Sequence, residues 1–126
     1  MEVFGIGTDI IEVERIKAAI KKNNGFRSRV YTPDEIDYCE KKAKGRYPSY
    51  AARFAAKEAV AKALAEGVGK NVSLNEIELA NLDSGAPYIK LYGSTSSYSK
   101  KLEIREIRIS VSATQNFAVA FAMALK

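Results

Sequence analysis

Tyr50-Ala51-Ala52-Arg53-Phe54-Ala55-Ala56-Lys57-Glu58-Ala59-Val60-Ala61-Lys62-Ala63-Leu64-Ala65-Glu66 is the stretch on which the reading of the fold turns. Ala52, Ala55, Ala56, Ala59, Val60 and Ala63 recur at helical spacing and form a stripe of mostly small residues, which lets a sheet or another helix approach closely. At about 100° per residue, Glu58 and Lys62 share one flank of that stripe and Arg53 and Lys57 the other. Phe54 points away from the stripe, and nothing on its own helix explains it.

Outward from this helix, the N-terminal Val3-Phe4-Gly5-Ile6-Gly7-Thr8-Asp9-Ile10 alternates by twos as a strand does. Two glycines on one face leave room for a close neighbour, and Asp9 is expected where the strand ends. Val13, Ile16 and Ile20 then keep helical spacing up to Asn23-Asn24-Gly25, with Arg15, Lys17, Lys21 and Lys22 on the other side. Thr32-Pro33-Asp34-Glu35 is a helix start with a capping box, and its helix is expected to reach about Lys44 and stop at Gly45. Arg46-Tyr47-Pro48-Ser49 reads as a basic loop whose Ser49 caps the next helix.

Beyond Gly67 the pattern turns to strands. Residues 76–82 and 88–92 flank the turn-rich Asp83-Ser84-Gly85-Ala86-Pro87, residues 94–101 are ambiguous with a short polar helix, and residues 106–112 alternate with Ile107, Ile109 and Val111 on one face. Phe117, Val119, Phe121, Met123 and Leu125 alternate likewise after a hairpin turn. The expected architecture is α+β: a single domain over residues 1–126, with an N-terminal strand and about three helices packed on an antiparallel sheet.

Composition narrows the chemistry. The chain of 126 residues contains no histidine, which removes every mechanism with an imidazole base and every metal site that needs one. Cys39 is the single cysteine, so no internal disulfide forms. Glu2, Asp9, Glu12 and Glu14 are wrong for a signal peptide, and the apolar run Phe117–Leu125 falls far short of the ~20 residues a spanning helix needs. A cytoplasmic protein that does not enter membranes is expected. The net charge of +5 suits an acidic partner, but nucleic acid is not expected: there is no zinc pattern, RNP-like strand or helix-turn-helix.

Two acids have alternative readings. Asp9 is either a cap for the helix that follows or a ligand for a hard cation such as Mg²⁺. Glu58 is either the partner of Lys62 in an i,i+4 pair or a second ligand. The absence of histidine, together with Lys44, Arg46, Arg53, Lys57 and Lys62 on or just before one helix, favours two acids holding Mg²⁺ for a polyphosphate substrate.

Gly5-Ile6-Gly7-Thr8-Asp9-Ile10 resembles the opening motif of the holo-acyl-carrier-protein synthases, the short bacterial type of 4′-phosphopantetheinyl transferase. Arg53-Phe54-Ala55-Ala56-Lys57-Glu58-Ala59 resembles their second motif, Phe26-Arg27-Ser28-Arg29-Val30-Tyr31-Thr32 the segment between, and Gly85-Ala86-Pro87-Tyr88 their G-K-P-Y turn. The resemblance implies transfer of 4′-phosphopantetheine from coenzyme A to a serine of an acyl carrier protein, for fatty acid biosynthesis, with Mg²⁺ as cofactor. It implies Asp9 and Glu58 as metal ligands, Lys62 on a phosphate, Lys44 or Arg46 on the 3′-phosphate, and Pro87 near the adenine. It also implies a homotrimer with active sites between subunits.

Ser112 is a further candidate for the coenzyme A phosphates, and Arg15, Lys22, Phe26, Arg27 and Phe54 are candidates for docking the carrier protein. The last motif departs from the family pattern: Ala113 stands where the family has histidine, and Phe117 where it has tyrosine. The alternative that follows from Ala113 is a relative that binds coenzyme A or carrier protein with impaired catalysis. The acceptor of the serine proton stays open between Asp9, Glu58 and a water on the metal.

Overall fold

The computed structural model describes residues 1–22, 25–64 and 68–126. In chain order it contains β1 (Val3–Glu12), α1 (Val13–Lys21), α2 (Phe26–Val30), α3 (Pro33–Glu40), α4 (Arg46–Ala63), β2 (Ile77–Asn81), β3 (Pro87–Leu91), α5 (Gly93–Lys101), β4 (Glu106–Ala113) and β5 (Phe117–Leu125). The strands make a three-stranded sheet in the order β1-β5-β4 and a separate two-stranded β2-β3 hairpin, antiparallel throughout. This is the α+β architecture expected, with more helices than the three foreseen and two sheets in place of one.

The small-residue stripe decides how the layers meet. Ala55, Ala56, Ala59 and Ala63 are fully buried. A Cβ added to Gly5 would collide with the Ala63 carbonyl oxygen, and one added to Gly7 with that of Ala59, so α4 rests directly on the backbone of β1. The next strand continues the surface with Ala118, Ala120, Ala122 and Ala124, all buried. Register places Gly7 opposite Ala122 and Asp9 opposite Ala120, and Ala120 in turn opposite Val111 of β4. The core face of β5 is therefore its alanine face. Phe117, Val119 and Phe121, alternating with those alanines, are exposed beside Ile6 and Ile10 of β1.

Four local expectations are corrected. β1 continues through Asp9 to Glu12, so Asp9 sits inside the strand, and the N-cap of α1 is Glu12. The Thr32 capping box is present, but α3 stops at Glu40 and a 3₁₀ turn over Ala43–Gly45 follows. Arg46 opens α4 directly; Pro48 lies in its first turn, where a missing N–H costs nothing, so there is no basic loop. Ser49 lies inside the helix and its hydroxyl meets the Cys39 thiol at 3.2 Å instead of capping. The hairpin strands fall within a residue of expectation, and the ambiguous polar segment is the helix α5. The expected stop at Asn23-Asn24 and the last turn Ala65-Glu66 with Gly67 lie outside the described residues.

Candidate active site

Asp9 shares the face of β1 that carries Gly5 and Gly7, and those glycines bring α4 close enough for its side chains to reach the strand. Lys62 donates from Nζ to the Thr8 carbonyl at 2.9 Å and to Asp9 Oδ1 at 3.3 Å. Glu58, one turn earlier on α4, is half-buried, and its carboxyl is pushed up, first by burial and then by the charge of Asp9, with Lys62 pulling the other way. The charge of Asp9 thus acts on Glu58, while Lys62, half exposed, is paired with Asp9. A divalent cation would relieve the repulsion between the two acids.

The donor set fits Mg²⁺, which takes one or two carboxylates and fills its other positions with water and phosphate oxygens. Among the described residues no group of three or more His, Cys, Asp or Glu side chains could hold a metal by itself.

The other residues assigned to coenzyme A do not join this cluster within the chain. Arg46 opens α4 sixteen residues before Lys62, about 24 Å along the helix axis. Its Nη1 donates to Glu40 Oε1 at 3.2 Å, while Lys44 is exposed in the preceding turn. Pro87 opens β3 opposite Asn81. Ser112 is opposite Val119 on β5, one position out of step with the pair Val111–Ala120, and so lies on the sheet face opposite Asp9. Ala113, at the position where the family pattern has histidine, ends β4 and is exposed.

Two of the expected cations are not free to ring a substrate. Lys57 is completely buried and paired at 2.5 Å with Glu35, donating also to the carbonyls of Leu74 (3.0 Å) and Ile77. Burial holds its ammonium below the usual lysine range. Arg53 stacks 4.0 Å over Tyr38 and donates to Asn81 Oδ1 at 3.1 Å, and its buried Nε has no hydrogen-bond partner.

The docking candidates fare better. Arg15, Lys22 and Phe26 line one groove of about 370 Å³ with Ala18, Ala19 and Arg29. Phe54 stacks on Phe26 with ring centroids 6.4 Å apart, which accounts for an aromatic pointing away from its own stripe. Arg27 does not line this groove; its guanidinium donates to Glu40 Oε2 at 3.2 Å. The sequence reading missed Arg29 and Glu40. Arg29 was within reach, three residues after Phe26 on a helix, whereas nothing in the local sequence marks Glu40 as the meeting point of two arginines.

This fold, with a carboxylate pair set between a glycine-bearing strand and an alanine-striped helix, defines a class. A family model described as the 4′-phosphopantetheinyl transferase superfamily matches residues 5–122. A holo-[acyl-carrier-protein] synthase of Ruminiclostridium cellulolyticum is 48% identical over 120 residues, covering 94% of this chain and 89% of that protein. The crystal structure of holo-[acyl-carrier-protein] synthase from Neisseria meningitidis superposes with a TM-score of 0.90 at 33% identity, covering 98% of this chain and 99% of the other. That of Helicobacter pylori, in complex with coenzyme A, gives 0.83 at 32% identity, covering 95% and 99%. The chain belongs to the holo-[acyl-carrier-protein] synthase family.

Proposed function

We propose that residues 1–126 act as one domain that transfers the 4′-phosphopantetheine group of coenzyme A to a serine of apo-acyl carrier protein. The reaction is Mg²⁺-dependent, leaves adenosine 3′,5′-bisphosphate, and serves fatty acid biosynthesis in the cytoplasm. The observation that carries this reading is the meeting of Asp9, Glu58 and Lys62 in a protein without histidine.

Asp9 and Glu58 would hold the metal. Bound Mg²⁺ supplies charge neutralisation and polarisation of the diphosphate. Lys62 offers its ammonium to a phosphate oxygen, where negative charge grows on the leaving group. As the carrier serine Oγ bonds to the β-phosphorus, the bond from that phosphorus to the departing bisphosphate breaks. A carboxylate oxygen of Asp9 or Glu58, directly or through water, takes the hydroxyl proton.

The division of the site supports a homotrimer. Asp9, Glu58 and Lys62 lie on β1 and the later turns of α4, while Lys44, Arg46, Pro87 and Ser112 lie elsewhere on the chain. A neighbouring subunit would bring its coenzyme A residues against this subunit's carboxylates. Exposed Ile6, Ile10, Phe117, Val119 and Phe121 provide an apolar sheet face for such an assembly. The groove of Arg15, Lys22 and Phe26 would receive the acidic carrier protein, steered by the positive net charge.

Mass spectrometry of an apo-acyl carrier protein incubated with coenzyme A, Mg²⁺ and this protein tests the reading, with a serine-linked gain of the phosphopantetheine mass expected. The second reading, binding without turnover, rests on Ala113. A wild-type protein that binds coenzyme A and Mg²⁺ yet leaves the carrier unmodified, while Ala113→His modifies it, would decide for that second reading.

A further inference from the structure

Glu40, the last residue of α3, is the meeting point of Arg46, a candidate for the coenzyme A 3′-phosphate, and Arg27, a candidate for docking the carrier protein. Its Oε1 accepts from Arg46 at 3.2 Å, and its Oε2 accepts from Arg27 at 3.2 Å and from the Tyr50 hydroxyl at 2.6 Å. The three charged side chains are partly open to water, 35% exposed for Glu40, 48% for Arg27 and 43% for Arg46, whereas Tyr50 is buried. Arg46 opens α4, and Arg27 follows Phe26 of the docking groove on α2. The Tyr50 hydroxyl is the main cause of a Glu40 carboxyl held below the ordinary carboxylate range; burial pushes the other way, and Arg46 and then Arg27 add to the lowering.

We propose that Glu40 is an internal competitor that occupies Arg46 and Arg27 until the coenzyme A 3′-phosphate and an acidic side chain of the carrier protein displace it, and that it makes the two substrates oppose each other. The inference rests on the proposed function and takes two of its candidates further: Arg46, of the pair Lys44 or Arg46, for the 3′-phosphate, and Arg27, beside the docking groove, for the carrier.

The opposition follows from counting partners. When one arginine leaves, Glu40 keeps the other and Tyr50. When both leave, a charged carboxylate is left with one hydroxyl, so the second departure costs more than the first. By linkage, whatever the nucleotide takes from carrier affinity through this residue, the carrier takes equally from nucleotide affinity. After transfer the same opposition acts between bisphosphate and holo-carrier, each loosening the other. A carboxylate that only ties α3 to α2 and α4 would behave otherwise, because its removal would leave both arginines poorly held and weaken both ligands.

Titration calorimetry on the whole chain distinguishes these. Glu40→Gln is expected to bind adenosine 3′,5′-bisphosphate roughly two- to tenfold tighter, as removal of one half-exposed competing charge implies. Adenosine 5′-monophosphate, which lacks the 3′-phosphate, should bind unchanged. In the wild type, saturating bisphosphate should weaken apo-carrier binding more than saturating monophosphate does, and Glu40→Gln should erase that difference.

Unchanged or weaker bisphosphate binding by Glu40→Gln overturns the proposal, as do equal effects of the two nucleotides on carrier affinity in the wild type, a comparison that needs no variant. Arg46→Gln separates the causes of failure. If it keeps the preference for bisphosphate over monophosphate, the assignment of Arg46 is wrong and the competition falls with it. If it loses that preference while Glu40→Gln changes nothing, the competition alone is wrong.

Discussion

Lys57 and Lys62 lie five residues apart on α4 and each meets a carboxylate, yet the two pairs have opposite characters. Lys57 and Glu35 are both fully buried, 2.5 Å apart, and their remaining valences are filled: Lys57 by two backbone carbonyls, and Glu35 by the backbone N–H groups of Thr32 (3.0 Å) and Leu79 (2.9 Å). Next to them Glu78 accepts from the Thr32 hydroxyl at 2.6 Å and from Tyr92 at 3.0 Å. On the other flank, Lys62 is half exposed and reaches Asp9 at 3.3 Å, while Glu58 is pressed against the charge of Asp9. One side is a completed polar network joining α3, α4 and the β2-β3 hairpin. The other has more negative charge than its lysine can answer. Charge completed inside the protein serves the fold; charge left over is what a cation and a phosphate can use.

The contrast is sharpest if the two flanks are broken separately. Asp9→Asn and Glu58→Gln should each lower transferase turnover by at least about 10³-fold, the order expected when a metal clamp on a diphosphate is lost. Neither should unfold the protein. Without Mg²⁺, Glu58→Gln should melt at the same temperature as the wild type or higher. The raised carboxyl makes ionised Glu58 a cost to the folded state, one that grows as pH rises above the ordinary carboxylate range toward the raised value. A drop in melting temperature for Glu58→Gln at neutral pH, in chelator, would show that its charge supports the fold.

Lys57→Met should do the reverse, costing ~3–5 kcal/mol in denaturant unfolding because it strands the buried Glu35. Adding Glu35→Leu should recover only part of that loss, because it removes the acceptor of the Thr32 and Leu79 N–H groups, and adding Mg²⁺ should recover none.

The same contrast explains what the sequence made legible. The alanine stripe and the glycines of β1 were readable because close packing needs small residues at fixed periods, and Asp9 and Glu58 followed from the paired motifs around them. The fates of Lys57 and Arg53 were not readable. At helical spacing they sit on a flank like any surface cation, and they are covered by α3, through Glu35 and Tyr38, and by the β2-β3 hairpin far along the chain. The inward face of β5 was obscured for a related reason: hydrophobicity points to Phe117, Val119 and Phe121, but a helix seated directly on the sheet leaves room only for alanine. Arg46-Tyr47-Pro48-Ser49 reads as a basic loop before a Ser49 cap, yet it forms the first turn of α4, where proline is tolerated.

A smaller perturbation tests the packing that brings Asp9 and Glu58 together. In Gly7→Ala the new Cβ would meet the Ala59 carbonyl and come within 2.8 Å of the Ala63 nitrogen and the Lys62 Cβ. Backbone cannot yield as a side-chain tip does, so α4 must move outward. A loss of ~1–3 kcal/mol is expected, as for overpacking elsewhere, with a weaker response to Mg²⁺ because the moved helix carries Glu58 and Lys62. Gly69→Ala is the control: nothing lies within 4 Å of its added Cβ, and it should change neither quantity. Equal effects from the two would separate the glycines of β1 from the geometry of the site.

The smallest effect belongs to a carboxylate satisfied at the surface, intermediate between the two flanks of α4. Glu76 accepts from the backbone N–H groups of Ser94 (3.2 Å) and Thr95 (3.0 Å) and from both their hydroxyls (2.9 and 2.7 Å), capping α5 from outside the helix. Gly93 makes this possible: at φ 56° it turns the chain into the helix, and a Cβ there would strike the Glu76 carboxylate. The Thr95 hydroxyl bond is the largest cause of a Glu76 carboxyl held below its ordinary value, with burial opposing. Its stabilisation is therefore complete above the unfolded carboxylate pKa of ~4.3 and is lost as pH falls through the lower folded value. Glu76→Gln should cost about 0.5–1 kcal/mol at pH 7, toward the low end of helix capping because water competes for the carboxylate. The melting-temperature gap between wild type and variant should close as pH is lowered past that window, with transferase activity at neutral pH unaffected. A gap that stays constant into acid would mean that Glu76 acts through its shape and not through its charge.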